Sequence, residues 1–454
     1  MGDMDFPEML QAITPEISWQ IALKDESQTI YRQNGRGYFE ELSLKSCKME
    51  VRRHFKIATP ATINSLLQAL LEDENRLIDD ALFLESRKKV IGFLNGIFDL
   101  QTGLLREYST TDFICNPLPH RVPHDLKPET EPYLIDVFSS WVGEDCAAWL
   151  LDLLAYLLFI YPNEEQIWIN FFGYGSNGKG VCLELLERIL GDGKCVGCDL
   201  QHINRFSGDT FQGKWLVIGR DSSQFVNDAA TSFIKTYSGD PKLLVEEKGG
   251  ASYDVYNPGK LIVSTNNLIQ SKDRTYSWYR RLVPVPFPNI FPRNEKFKQK
   301  LFQQLPQMIR FFLHRAYLYK ANAIPVMNFI PQSVQKLMQE TRYLNDRITA
   351  FWELEFFKNV EDKGIISRVL DFEKLKFLHG KSISEVYDYF SAWSEKEFGD
   401  GNIEPSLKTF GGPYGAFLQS DAGKYFRYKR TNTARILELL PDYWKQAGIK
   451  EEIA

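Results

Sequence analysis

The apolar run Ile167-Trp-Ile-Asn-Phe-Phe172 leads into Gly173-Tyr-Gly-Ser-Asn-Gly-Lys-Gly180, and from Val181 to Leu190 the apolar residues fall at helical spacing. A continuous run of this length, bounded by turn residues, predicts a buried strand, and the whole stretch reads as strand, glycine turn and helix. Two further runs repeat the first: Lys214-Trp-Leu-Val-Ile-Gly-Arg-Asp221, which ends in an acid, and Lys260-Leu-Ile-Val-Ser-Thr265, which runs into Asn266-Asn267. Between them, Asp228 to Tyr237 has helical spacing. Leu243 to Tyr256 alternates on either side of Gly249-Gly250, which predicts a hairpin with Lys248 at its tip. Trp278-Tyr-Arg-Arg-Leu-Val-Pro-Val-Pro-Phe287 closes the region after a polar loop. The pattern is that of an α/β domain.

The flanks are patterned differently. Trp19 to Leu23 and Thr29 to Phe39 predict short strands, with Asn34-Gly35 as a turn, and Cys47 to Ile57 and Ala61 to Leu71 predict helices. The second helix follows Thr59-Pro60, with Thr62 or Asn64 as its cap. Val90 to Leu105 reads as strand, Asn-Gly turn and strand, followed by a second turn at Gln101-Thr-Gly103. Five prolines between Pro117 and Pro132 mark a surface connection, and Tyr133 to Leu158 is helical. Helical spacing resumes from Pro288 to Lys320 and from Gln332 to Phe357. Ser382 to Phe398 carries Ile383, Tyr387, Phe390 and Trp393 at helical spacing, which is more often a core face than a base-stacking one. These shifts divide the chain into a mixed α+β domain over 1–130, a helical lead-in with a P-loop core over 131–325, and a mostly helical domain over 326–454.

Composition narrows the class. The 454 residues are 44% apolar and 25% charged, as in ordinary globular proteins. The most apolar segment, Trp149 to Ile160, is short and carries Asp152, so it predicts a buried helix rather than a span of about 18 apolar residues. The start, MGDMDFPEML, lacks the basic and apolar regions of a signal peptide, so a cytosolic protein with no membrane partner is expected. Six scattered cysteines suit a reducing compartment. Cys195-Val-Gly-Cys198, with Cys182 and His202, offers four zinc ligands, but one tight pair alone is a weak signal against free thiols. The net charge of −5 excludes a generally basic coat and leaves room for a local basic groove.

The chemistry concentrates at the glycine turn. Gly173, Gly175, Ser176, Asn177, Gly178, Lys179 and Gly180 satisfy G-x-x-x-x-G-K-[ST] except at the last position, where glycine replaces the hydroxyl that normally ligates Mg²⁺. Backbone N–H groups and a helix N-terminus favour an anion there, and Lys179 can reach the outer phosphates of ATP. In an open α/β sheet, ligands bind beyond the carboxyl ends of the strands, so Lys179, Asp221 and Asn266 should converge. Asp221 is the acid expected on the Mg²⁺ side, with a helix cap as the bland alternative. The neighbouring position, where a second acid would activate water, is Ser222.

Taken in order, GYGSNGKG, LVIGRD, FIKTYSGDPKLLVEEKGG, KLIVSTNN and YRRLVPVPF resemble the motifs of superfamily 3 helicases of the poxvirus and phage/plasmid primase-helicase type. Upstream, FLNGIFDLQTG resembles the signature of the domain that precedes the ATPase in that family. The resemblance covers roughly residues 80 to 290. It implies an AAA+ ATPase core and a replicative DNA helicase of a phage, plasmid or mobile element, assembled as a hexamer. Lys179 would bind the β/γ-phosphates, Asp221 would hold Mg²⁺ and Asn266 would sense the γ-phosphate. Arg281, with Arg280 as the reserve, would reach a neighbouring subunit's nucleotide. Lys248 would face single-stranded DNA in the channel. Helicases of this type often end in a winged helix for duplex DNA; Lys424, Arg427, Lys429 and Arg430 lie in a basic-aromatic stretch that suits its wing, and a solvated edge strand is the alternative. The first 80 residues show no metal-acid cluster for primer synthesis, so a separate primase or polymerase is expected.

Gly180 and Ser222 depart from the family pattern. Glu246, Glu247 or Asp228 are candidates to compensate. The competing function is a nucleotide-binding ring that loads onto DNA or binds an origin with little ATP turnover. A small-molecule phosphotransferase is disfavoured by the asparagine and the arginine pair.

Overall fold

The three predicted apolar strands pair with two others in one parallel sheet. Its strands are β1 (Trp168–Phe172), β2 (Cys195–Cys198), β3 (Leu216–Gly219), β4 (Lys260–Thr265) and β5 (Leu282–Pro286), in the order β5-β1-β4-β3-β2. Every residue of β3 and β4 is buried, which is why these segments read as unbroken apolar runs rather than alternating ones. The edges are treated differently. In β5 the Phe287 N–H donates to Phe172 at 2.7 Å and the Arg281 carbonyl accepts from Trp168 at 2.8 Å, so odd-numbered residues face β1. Pro284 and Pro286 therefore turn their missing N–H toward the open edge, where proline is tolerated and blocks further strand pairing.

The computed structural model describes residues 5–17, 19–24, 27–79, 81–109, 111–246, 252–257, 259–362, 365–399, 406–411, 416–431 and 434–447. The chain forms two units, residues 1–268 with 280–335 and residues 269–279 with 336–454.

In the first unit, helices α1 (Thr130–Val142) and α2 (Glu144–Phe159) lead into the sheet, α3 (Lys179–Leu190) follows β1, and α4 (Asp228–Gly239) follows β3. Helix α2 is buried along nearly its whole length and packs on α1 and on α5 (Leu305–Asn322). Its one intrusive charge, Asp152, is met by Arg315 of α5 at 3.2 Å. Among the described residues, no helix is long and apolar enough to cross a membrane.

The N-terminal segment builds a four-stranded sheet in the order Phe39–Leu42, Ser27–Gln33, Trp19–Lys24, Leu77–Ile78. Helices Phe6–Ile13, Leu44–His54 and Pro60–Leu71 pack on it through Ile13, Cys47, Val51, Ile63 and Leu66. The cap of the third helix is Thr59, whose hydroxyl accepts the Thr62 N–H at 3.2 Å. It lies ahead of the expected Thr62 or Asn64 because Pro60 fills the first helical position, where a missing N–H is harmless. The predicted meander is present as Val90–Phe93, Gly96–Asp99 and Leu105–Arg106.

The second unit is built on an aromatic core that includes Phe351, Trp352, Phe390, Phe410 and Phe417. Phe390 and Trp393 of helix Ile383–Phe398 are buried in it, so the aromatic spacing marked a core face. Helices Phe372–Leu378 and Ile383–Phe398 precede an antiparallel hairpin, Phe426–Arg430 with Arg435–Leu439. Ser382 adds a single isolated antiparallel bridge to Ile436 of that two-stranded hairpin.

Candidate functional site

The glycine loop leaves β1 and returns as α3, and its shape follows from contacts no other residue type would permit. Gly173 has φ +152°, and a Cβ there would sit 2.3 Å from the Phe287 carbonyl oxygen. Gly178, the N-cap of α3, has φ +96°, and a Cβ there would sit 2.9 Å from the Trp141 ring. Ser176 is left-handed at φ +55° without glycine's freedom, and its carbonyl accepts the Phe291 N–H at 2.7 Å. Asn177 is buried, and its Nδ2 donates to the Phe287 carbonyl at 3.0 Å. The segment after β5 thus straps the loop down. Positions 175 and 180 are open: a Cβ on Gly175 or Gly180 would meet nothing within 4 Å.

Lys179 opens the helix and is itself 4% exposed. Its ammonium donates to the Gly173 carbonyl and lies 3.4 Å from Asn266 Oδ1. Burial pushes Lys179 below the ordinary lysine range, and the Asp221 carboxylate opposes that shift. Asp221 follows β3 in a left-handed turn at φ +46°, exposed, with its N–H donating to Ser264 Oγ at 3.1 Å. The Ser222 N–H donates to the Ser264 carbonyl at 2.9 Å. Beneath them Asn170 Nδ2 donates to Thr265 Oγ1 at 2.9 Å, linking β1 to β4 inside the core. Ser264, Thr265 and Asn170 therefore set the positions of Asp221 and Asn266. These buried polar residues within apolar strands were the one sequence signal for that role. Lys179, Asp221 and Asn266 lie together at the carboxyl end of the sheet, and two left-handed non-glycine residues, Ser176 and Asp221, sit among them. Such backbone strain clusters at functional sites.

Arg281 lies at the opposite end, just before β5. Six residue steps take the chain from it to Phe287 at the loop, about 20 Å at a rise of about 3.3 Å per residue. Its guanidinium packs against Gly239, where a Cβ would come within 2.7 Å of Nη2. Burial and the adjacent Arg280 lower its pKa, and Asp240 opposes them. Arg280 donates to Gln166 Oε1 at 2.6 Å. Neither arginine reaches the loop of its own chain.

Other expected positions are engaged elsewhere. Lys248 and Glu247 lie outside the described residues, although the strands of their hairpin pair as predicted, Lys242–Glu246 with Ser252–Tyr256. Glu246 faces Arg205 at 3.4 Å, and Asp228 sits in the first turn of α4. Arg220, which the sequence did not single out, bonds Glu187 at 2.5 Å and reaches the Gly180 carbonyl at 3.4 Å. Cys195 and Cys198 both lie on β2, and positions three apart on a strand face opposite sides. With Cys182 buried in α3 and His202 exposed, no group of three or more metal-ligating side chains forms among the described residues. In the second unit Lys424 pairs with Asp421 at 2.6 Å, while Arg427 and Lys429 share Glu438 at 2.6 and 3.1 Å. Arg430 stands directly across the hairpin from Arg435.

Comparison with known proteins places this site in context. Residues 171–281, from the end of β1 to Arg281, match a family of unknown function, DUF5906. A stretch of 229 residues is 24% identical to "Putative helicase 121R" of Invertebrate iridescent virus 3, covering 47% of this chain and 24% of that protein's length. The fold is similar to the apo A form of the NrS-1 C-terminal region, with a TM-score of 0.52 at 15% identity over 96% of this chain and 99% of that one. A second apo structure of the same NrS-1 region, 305–718, has a TM-score of 0.47 at 14% identity over 96% and 99%.

Proposed function

We propose that the chain is an ATP-dependent DNA helicase of the superfamily 3 type, with an AAA+ core working in a ring. The observation that carries this reading is the meeting of Lys179, Asn266 and Asp221 at the carboxyl ends of β1, β4 and β3, with Arg281 held at the far end of β5. The named helicase relative and the likeness in fold to the NrS-1 region support it.

In this reading the loop N–H groups and Lys179 hold the β- and γ-phosphates of ATP. Asn266, fixed within 3.4 Å of the Lys179 ammonium, is placed to orient the attacking water. Asp221 fits Mg²⁺, an ion that keeps several waters and takes one or two carboxylates plus phosphates. The open space at Gly180 leaves room for water where a serine hydroxyl would otherwise stand. When bound, Mg²⁺ neutralises charge developing on the transferred phosphoryl group. Arg281 acts on the nucleotide of a neighbouring subunit, since it lies a full strand away from its own loop. A finger supplied in trans makes a closed ring, a hexamer, the working form. Lys248 contacts single-stranded DNA in the channel. Helices Phe372–Leu378 and Ile383–Phe398 with the two-stranded hairpin Phe426–Arg430 and Arg435–Leu439 form a winged helix for duplex DNA, with Arg430 and Arg435 at the wing's end. Priming falls to a separate primase or polymerase.

A second reading, a nucleotide-bound ring that loads onto DNA with little turnover, is favoured by Gly180 and by the buried serine at 222, where a second acid is missing. DNA-stimulated ATP turnover, measured with mass photometry on wild type, Lys179→Ala and Arg281→Ala, separates the two. The helicase reading expects a ring whose turnover falls by about 10³-fold or more in Arg281→Ala with ATP binding kept, and is lost in Lys179→Ala. A ring that binds ATP with no DNA-stimulated turnover supports the loading reading. A monomer with DNA-independent phosphotransfer would sink both.

A further inference from the structure

On a chain with a net charge of −5, the stretch from Lys45 to Lys56 holds five cations and one acid. Lys45, Lys48, Arg52 and Arg53 lie on the helix Leu44–His54, and Lys56 follows its end. Packing fixes which side of the helix is free. Cys47 and Val51 are buried in the core of the N-terminal segment, while Lys45, Arg52, Arg53 and Lys56 are exposed and Lys48 is half-buried. Lys45, Lys48 and Arg52 stand at i, i+3 and i+7, so they share one side of the helix, spread over about 10 Å at a rise of about 1.5 Å per residue.

Charge pairing within the chain does not account for these cations. Glu50, the lone acid of the stretch, is engaged elsewhere: it accepts from Trp19 Nε1 at 3.1 Å and from Arg32 at 3.5 Å. Among the described residues, none of the five cations has an ion-pair partner. The helix dipole explains Arg52 and Arg53, which sit in the last turn, where positive charge is favourable. It does not explain Lys45, the second residue of the first turn, where a cation faces the positive end of the dipole.

The composition of the face selects its partner. Duplex DNA presents one negative charge per about 1.7 Å of axis, so a row of cations about 10 Å long meets phosphates along its whole length. No Phe, Tyr or Trp is exposed between Leu44 and Ile57 to stack on an unpaired base, which disfavours a single strand. The exposed apolar residues Leu44, Met49 and Ile57 are separated by cations rather than gathered into an anchor for a protein. The apolar side of the helix is occupied by the core, so it has none to insert into a bilayer.

We infer that this helix face docks the sugar-phosphate backbone of duplex DNA without reading its sequence. The surface shares no residue with the phosphate loop or with the hairpin Phe426–Arg430 and Arg435–Leu439. The inference rests neither on ATP turnover nor on ring assembly.

Fluorescence anisotropy of a blunt duplex of about 20 base pairs, titrated with the full chain without nucleotide at several salt concentrations, tests it. The triple variant Lys45→Gln, Lys48→Gln, Arg52→Gln should weaken binding about tenfold or more. It should also flatten the slope of log K against log salt by about 2 to 3, equally for two unrelated sequences. The control Lys127→Gln, Lys296→Gln, Lys300→Gln removes as many exposed cations elsewhere and should leave the slope unchanged. The triple's effect should persist in an Arg430→Ala background, which removes the hairpin's contact. Lys45→Glu separates docking from folding: an acid suits the first turn, so this variant should melt no lower than wild type and still bind the duplex more weakly. If the triple variant melts lower, Lys45→Glu decides. Unchanged duplex binding in folded variants overturns the inference, as does an equal loss in the control. So does a triple variant that keeps the duplex and loses single-stranded DNA or phosphatidylserine vesicles. ATP turnover without DNA, measured in parallel, reports on the phosphate loop alone.

Discussion

Gly180 stands where a hydroxyl is usual, and its surroundings are empty enough to accept one. Serine at this position adds an oxygen without displacing any neighbour, and its backbone already lies in the first turn of α3. Gly180→Ser is therefore expected to lower the Mg²⁺ concentration for half-maximal turnover several-fold, read from an Mg²⁺ titration at saturating ATP. An unchanged midpoint would show that water already serves as well as a hydroxyl. Asn177 carries the opposite expectation. Asn177→Ala leaves the Phe287 carbonyl without the donor it has at 3.0 Å, a loss of about 1–3 kcal/mol visible in denaturant melts. Lys194 gives a pH signature. Burial, with Arg87 and Lys214 nearby, lowers it to about 8, against the opposing pull of Cys115 and Glu41. Below about pH 8 the charged form bears the full desolvation cost in the folded state. Between there and the unfolded value of 10.5 the unfolded chain holds the extra proton, so stability rises with pH. Wild type should gain stability relative to Lys194→Gln as pH rises from 8 to 10, and a pH-independent difference would contradict the desolvation.

Among the elements, the hairpin Phe426–Arg430 with Arg435–Leu439 shows how packing alters a sequence reading. Its basic run appears uniform, yet burial of Glu438 creates a carboxylate that claims two of its cations. Burial alone would raise that carboxyl, and hydrogen bonds from Arg427 and Lys429 more than reverse the effect. Arg430 instead faces a like charge, an arrangement that is unfavourable until an anion arrives. Arg430→Ala should reduce the salt slope of duplex binding by about 1, while Arg427→Ala should act mainly by destabilising the hairpin. Equal effects on the salt slope would place both side chains on phosphates. The strap after β5 is a second such element. Proline inside a strand removes a ladder donor, but at an edge the missing donors of Pro284 and Pro286 point outward, so β5 forms and carries Phe287 to the loop.

At the scale of the whole molecule, the sheet separates Arg281 from Lys179 by the length of β5, which turns an arginine pair noticed in the sequence into a statement about assembly. Mixing an excess of Lys179→Ala subunits with Arg281→Ala subunits should restore part of the turnover that each lacks alone, because some interfaces then pair an intact loop with an intact arginine. No recovery at any ratio would argue against a finger in trans. The three central apolar strands, the glycine loop and its lysine, and the aromatic face of Ile383–Phe398 were legible in the sequence, whereas the edge strands Cys195–Cys198 and Leu282–Pro286 and the order of the sheet were not. Continuous apolar runs, glycine spacing and helical period are local properties of the chain. Tertiary structure alone decided that Asn177 is a strut, that Cys195 and Cys198 point apart, and that Glu438 pairs with two cations of a basic run. It also decided that Arg87, Lys194 and Trp215 share one cavity. Each of these depends on which distant segments are brought within a few ångströms, and neither spacing nor composition encodes that directly.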